Sequence, residues 1–284
     1  MKPEQLSSLS RVVDPRYSSN RLAIAGATTA ALMVVVASLV GFDVDGGPLA
    51  AAVGVFLAWA IARELDPDHT ASAAIAIPLS FVFLLVLGPA SLLVSTGVLL
   101  GTRMAAGTVG TALRPLDIGG IIVVSGLLGT NMVGAVGVAA MIVGILVGEP
   151  RRARGIGIAV AAAAAFTVVG IVSDMERSWA APDTTDWIIA AVTIISMLVA
   201  IPAPSPTSST DRDSGILLRW RVTVARAVAG LAVVAGLVIV GGSGAAALAA
   251  TVTAALAGTA IRQLASGLNR ANDRGAESRQ TVRW

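Results

Sequence analysis

The chain has 284 residues, of which 55% are hydrophobic and only 13% charged, and its mean hydropathy is +0.82. A soluble domain carries about 25% charged residues, so most of this surface has lipid as its solvent. The net charge of +3 does not point to nucleic acid, because the basic residues are scattered over segment ends, and the absence of cysteine excludes disulfides, thiolate catalysis and cysteine-ligated metals.

Alanine, valine, leucine and isoleucine supply the apolar content, with 4% aromatics and 30 glycines. Small residues at this density suit helices that approach closely in a bilayer. The expected fold is therefore all-α, a polytopic integral membrane helical bundle. Lys2 is the single lysine among 20 basic residues, the skew of a GC-rich prokaryotic genome, which predicts a prokaryotic cell membrane as its location.

In chain order, residues 1–21 read as a cytoplasmic amphipathic lead, with Leu6, Leu9 and Val13 at helical spacing and Pro15 ending it. Apolar runs follow at 22–42, 46–62, 70–102, 118–148, 155–173, 187–202, 223–241 and 243–261, with Arg226 near the start of the seventh. About 20 apolar residues cross a ~30 Å hydrocarbon core, so most runs fit one crossing. The first is too long for a cleaved signal sequence and lacks a small-residue cleavage site, which predicts an uncleaved helix.

The runs 70–102 and 118–148 are too long for one crossing; each would make a straight helix of roughly 50 Å. Gly88-Pro89-Ala90 and Gly129-Thr130-Asn131 supply a turn inside each, which predicts two helical hairpins. The count is then about ten short transmembrane helices (8–10), or as few as six full spans if the hairpins are re-entrant. Residues 22–202 form the main transmembrane block. A cytoplasmic linker rich in Pro, Ser and Thr at 203–222 separates it from a helix pair at 223–266, and a cytoplasmic polar tail at 267–284 is expected to be mobile.

With the N-terminus inside, this segmentation puts every basic residue except Arg177 on the cytoplasmic side. The outer loops carry Asp43 and Asp45, then Asp174, Glu176, Asp183 and Asp186. Both termini are expected inside by the positive-inside rule. The pair 22–62 also resembles the pair 223–262 in layout, an apolar helix, a Gly-rich turn and an Ala-rich helix ending at Arg63 or Arg262.

No Asp, Glu, Lys, Arg or His lies in the middle of any segment, which disfavours a proton-coupled transporter that relies on a buried carboxylate. The polar groups at depth are neutral, chiefly Ser95, Thr96, Ser125, Thr130 and Asn131, with Thr251 and Thr253 in the last run. Most are expected to bond one turn back or across to a neighbouring helix.

The densest charge cluster is Arg63-Glu64-Leu65-Asp66-Pro67-Asp68-His69, and Arg114-Pro115-Leu116-Asp117 repeats its R-x-L-D pattern before the second hairpin. Two readings stand. In one, Glu64, Asp66, Asp68 and Asp117, with His69 nearby, converge on a divalent cation while Arg103 and Arg114 hold a phosphorylated headgroup. In the other, Asp66 and Asp117 cap helix N-termini and the arginines follow topology.

The glycine pairs Gly97/Gly101 and Gly144/Gly148, at i,i+4 spacing, allow close helix contact, and Pro78 is expected to kink its helix. No P-loop, H-E-x-x-H or nucleophile elbow is present, so no nucleotide partner is expected. The first functional expectation is a small-solute permease or exporter with an uncharged interior. The alternatives are a membrane-embedded enzyme acting on a lipid-linked or lipid-phosphate substrate at the cytoplasmic face, the only one that needs a cofactor (a divalent cation), and a non-catalytic membrane partner or scaffold subunit. The bilayer is the expected partner, with a homo-oligomer or protein partner left open.

Overall fold

Helices form wherever the chain is apolar and uninterrupted, and they stop at Gly, Pro and Asp. In a computed structural model, described for residues 7–9, 13–42, 44–109, 112–175, 179–202, 206–210 and 216–281 with side chains to 269, the chain is 78% helical with no strands among the described residues. The helices are α1 (Ser18–Leu39), α2 (Gly47–Leu65), α3 (Thr70–Leu87), α4 (Leu92–Ala106), α5 (Pro115–Leu128), α6 (Gly134–Gly148), α7 (Arg152–Val172), α8 (Thr184–Ala200) and α9 (Arg219–Val240). A last rod follows, made of α10 (Gly242–Leu248), a π-helical segment (Ala249–Thr253) and α11 (Ala254–Thr281).

Six of these helices are long and apolar enough to cross a membrane: α1, α2, α3, α7, α9 and the stretch Gly242–Asn269. The chain is a multi-pass membrane protein. The other four, α4, α5, α6 and α8, are apolar but shorter. At 14 to 17 residues each is roughly 21–25 Å long.

The two long runs break where their turns predict, after Leu87 and after Leu128. Gly88 takes φ +82, a conformation that an L side chain resists. The arms α3 and α4 do not pair, however, and α5 touches α6 less than it does α7. The α3 helix packs on α2 and α11, whereas α4 packs on α6, α9 and α2, and α5 lies mainly along α7.

The tightest seam joins α4 to α6, and glycine makes it possible. A Cβ on Gly97 would lie 3.0 Å from Gly137 Cα, and one on Gly144 2.8 Å from Gly101 Cα. Of the two i,i+4 glycine pairs noted in the sequence, Gly101 and Gly144 meet across this seam, while Gly97 lies against Gly137 and Gly148 against Met104.

Burial orders the helices from rim to axis. In α1 the exposed Leu32, Val36 and Leu39 face outward, as lipid-facing side chains do. The last rod is the axis: 83% of its most apolar stretch is buried, against 17% in α1. It packs on α2, α3, α8 and α9. The resemblance between 22–62 and 223–262 thus does not extend to position, and the linker interrupts the chain without setting the last helices apart.

Two local expectations are corrected. Residues 7–9 and 13–17 of the lead are not helical, and the first helix begins at Ser18, because Ser7, Ser8 and Leu9 spend their polar groups on Asp117 instead. The polar tail continues α11 as helix to Thr281, with no proline between 254 and 281 to stop it. Lys2, Leu6, Arg11, Asp43, Glu176, Arg177, Ser178, Arg212 and Arg283 lie outside the described residues.

Candidate functional site

The polar side chains gather in two places: one end of the bundle, and the middle of the axial rod. At the first, called here the arginine-rich end, the C-termini of α2, α4, α6 and α8 meet the N-termini of α5 and α9. Helix C-termini carry unpaired carbonyls and partial negative charge, and arginines answer them. Arg226, only 4% exposed, donates from Nε to Leu65 O at 2.8 Å and from Nη1 to Ala200 O at 2.9 Å, closing α2 and α8 together. Arg221 donates to Ala105 O at 2.9 Å and Met104 O at 2.8 Å at the end of α4.

The predicted acidic set is at this end but does not converge. Glu64, fully buried, accepts from Arg103 Nε at 2.8 Å and from Thr108 Oγ1. Asp66 accepts from Arg262 Nε at 2.9 Å and from Ser72 Oγ, and lies 3.0 Å from His69 Nδ1. Asp68 takes the backbone N–H groups of Thr207 at 2.8 Å and Ser208 at 2.9 Å. Burial opposes ionisation of Asp68, but the bonds from Ser208 and Thr207 outweigh it and hold the carboxyl below its usual range.

Asp117 forms a capping box with Arg114, whose backbone N–H it accepts at 2.8 Å, and also receives Ser8 N at 2.8 Å and Ser8 Oγ at 2.6 Å. Four carboxylates thus go to four different sets of partners. Among the described residues no three His, Cys, Asp or Glu side chains are placed to share a metal. Asp117 caps as one reading expects. Asp66 does not cap α3; it fastens the axial rod through Arg262.

At mid-rod, regular i→i+4 bonding gives way to five π-helical residues, Ala249–Thr253, all buried. Thr251 and Ser95 of α4 share a hydroxyl–hydroxyl bond of 2.7 Å, and Thr253 and Thr193 of α8 share one of 2.8 Å. Ser91 N donates to Ala247 O at 2.8 Å just before the π segment. At this depth the side-chain bonds that tie α4 and α8 to the axis are between neutral hydroxyls.

The other neutral candidates are scattered. Thr96 bonds back to Leu92 O and Thr130 to Leu127 O, while Asn131 Oδ1 accepts Gly134 N at the start of α6. Ser125 Oγ is buried without a hydrogen-bond partner. Of the groups the sequence reading missed, Arg226 carried a signal, as an arginine inside an apolar run. Thr193 and Arg221 carried none. Comparison with known proteins finds no matching family, no matching curated protein and no matching solved structure.

Proposed function

We propose that this protein is a permease for a small neutral or amphiphilic solute in a prokaryotic cell membrane. In this reading it crosses ten times, with the arginine-rich end and both termini in the cytoplasm, as the charge distribution favours. The observation that carries it is the π segment in the most buried helix. Irregular backbone is costly in lipid and is tolerated where protein surrounds it, and π turns inside helices concentrate at functional sites. Here the segment presents Thr251 and Thr253 to Ser95 and Thr193. A solute hydroxyl or amide exchanges with such neutral pairs without the desolvation cost that a buried charge imposes.

The test is uptake of radiolabelled neutral solutes into proteoliposomes. Thr251→Val keeps the shape and removes the hydroxyl. It is expected to lower flux about tenfold, the value of one hydrogen bond, in a protein that still folds but melts somewhat lower because Ser95 loses its partner. Uptake no faster than in empty liposomes across the panel would end this reading.

A further inference from the structure

A cavity of about 140 Å³ opens at the arginine-rich end between α4, α6 and α9, and Arg103, Arg221 and Glu149 line it with Leu9, Met104 and Ile145. A water needs only about 10–15 Å³ by the same measure, so the space holds a polar group of several atoms.

Its charged groups are held but not used up. Of the five N–H donors of Arg221, one at Nε and one at Nη2 reach the carbonyls of α4. Among the described residues the rest meet no acceptor, and no carboxylate pairs with this guanidinium. Arg103 spends Nε on Glu64 and one Nη1 proton on Leu9 O. Both side chains are fixed at the end of one helix, so little rotamer freedom is left to lose on binding.

Glu149 is the unusual member. It follows the C-terminus of α6, where the helix dipole opposes a negative charge, and its side chain is fully buried. Leu113 N reaches Oε2 at a long 3.3 Å, Arg154 Nη1 stands 3.5 Å from Oε1, and among the described residues Oε1 accepts no hydrogen bond. A buried carboxylate held this loosely is costly; it lies against the cavity wall with no surface of its own there, and a side-chain rotation would turn Oε1 to a cationic donor in the cavity. Pairing Arg103 with Glu64 and Glu149 with Arg154 leaves Arg221 as the surplus positive charge. The cavity therefore favours a ligand with an anionic group for the arginines and an ammonium for Glu149.

We propose that this cavity binds an aminophosphate, its phosphate oxygens on Arg103 and Arg221 and its ammonium on Glu149 Oε1. Guanidinium forks suit phosphate geometry, and basic pockets between membrane helices hold lipid headgroups. The chemistry is that of phosphoethanolamine, present as a bilayer headgroup or as a free solute. The site does not depend on the transport reading.

The test uses the full chain, purified and delipidated in detergent, and follows its thermal unfolding midpoint against O-phosphoethanolamine and inorganic phosphate. A parallel arm applies native mass spectrometry to protein released from nanodiscs of phosphatidylethanolamine or phosphatidylcholine. A saturable upward shift, at least about tenfold tighter for phosphoethanolamine than for phosphate, marks a soluble ligand. Selective retention of phosphatidylethanolamine with no response to the soluble probe marks a bilayer headgroup. Glu149→Gln is expected to erase the amine preference and keep phosphate binding. Arg154→Gln, which removes the competing cation, is expected to sharpen that preference. Equal response to both soluble probes, an unchanged preference in Glu149→Gln, or neither saturable binding nor selective retention overturns the proposal.

Discussion

Replacing Gly101 by alanine places a methyl group where no space exists. Its Cβ would lie 2.5 Å from Ala140 C and 2.9 Å from Met141 N, both backbone atoms of α6, where carbon atoms ordinarily rest about 3.5–4.0 Å apart. Neither atom swings aside as a side chain would, so α4 and α6 must part by about 1 Å. A gap of that size forfeits up to about half of each contact. Some 40 atom pairs worth ~0.15 kcal/mol each then lose about 2–3 kcal/mol, within the usual cost of overpacking.

Gly144→Ala strains the same seam from the other side. Once the first substitution has opened it, the second costs less, and the double variant should fall short of the sum by about 1 kcal/mol or more. Gly157→Ala is the control: its Cβ would meet nothing within 4 Å, and it is expected to be neutral or to gain up to about 1 kcal/mol of helix propensity. Equilibrium unfolding in mixed micelles titrated with SDS measures all four proteins. If Gly101→Ala matches the control, or the double variant equals the sum, the seam is not the close backbone contact described.

Three further outcomes are expected. Arg226→Gln abandons at least one of two buried carbonyls on two helices and should cost about 2–3 kcal/mol, and Arg226→Lys should not restore it, since an ammonium lacks the planar fork; thermal melts check both. Asp68 titrates below its usual value in the folded protein, so its hold on residues 207–208 is present at neutral pH and lost as acid protonates it below pH ~4; limited acid proteolysis should then cut the linker, and equal cutting of Asp68→Asn at neutral pH checks the assignment. In this chain without cysteine, single cysteines at Pro89, which unlike its neighbour Ala90 is not buried, and at Thr130 should both react with an impermeant reagent from the face opposite Ser209. Protection of either tip would show a re-entrant hairpin.

The helix breaks were legible because Gly, Pro and Asn act locally: Gly88-Pro89 and Gly129 stop helices whatever surrounds them. Helix partners were not. Lipid makes every apolar face nearly equivalent, so the pairing of α4 with α6 depends on which glycines meet, and the Ser95–Thr251 bond joins residues 156 apart in the chain. The acidic turns showed where charge gathers but not whom each acid meets. Arg262 and Ser208 come from segments whose docking no local pattern announces. The π segment likewise has no signature in Ala249-Ala250-Thr251-Val252-Thr253, which reads as ordinary apolar helix.

The axial rod is synthesised only after α1 to α9. Helices α4 and α8 therefore wait with Ser95 and Thr193 lacking their partners until residues 242–269 arrive to close the centre. Assembly of the bundle is for that reason expected to be late and all at once, with a ribosome stalled before Gly242 leaving an open ring of helices exposed to membrane quality control.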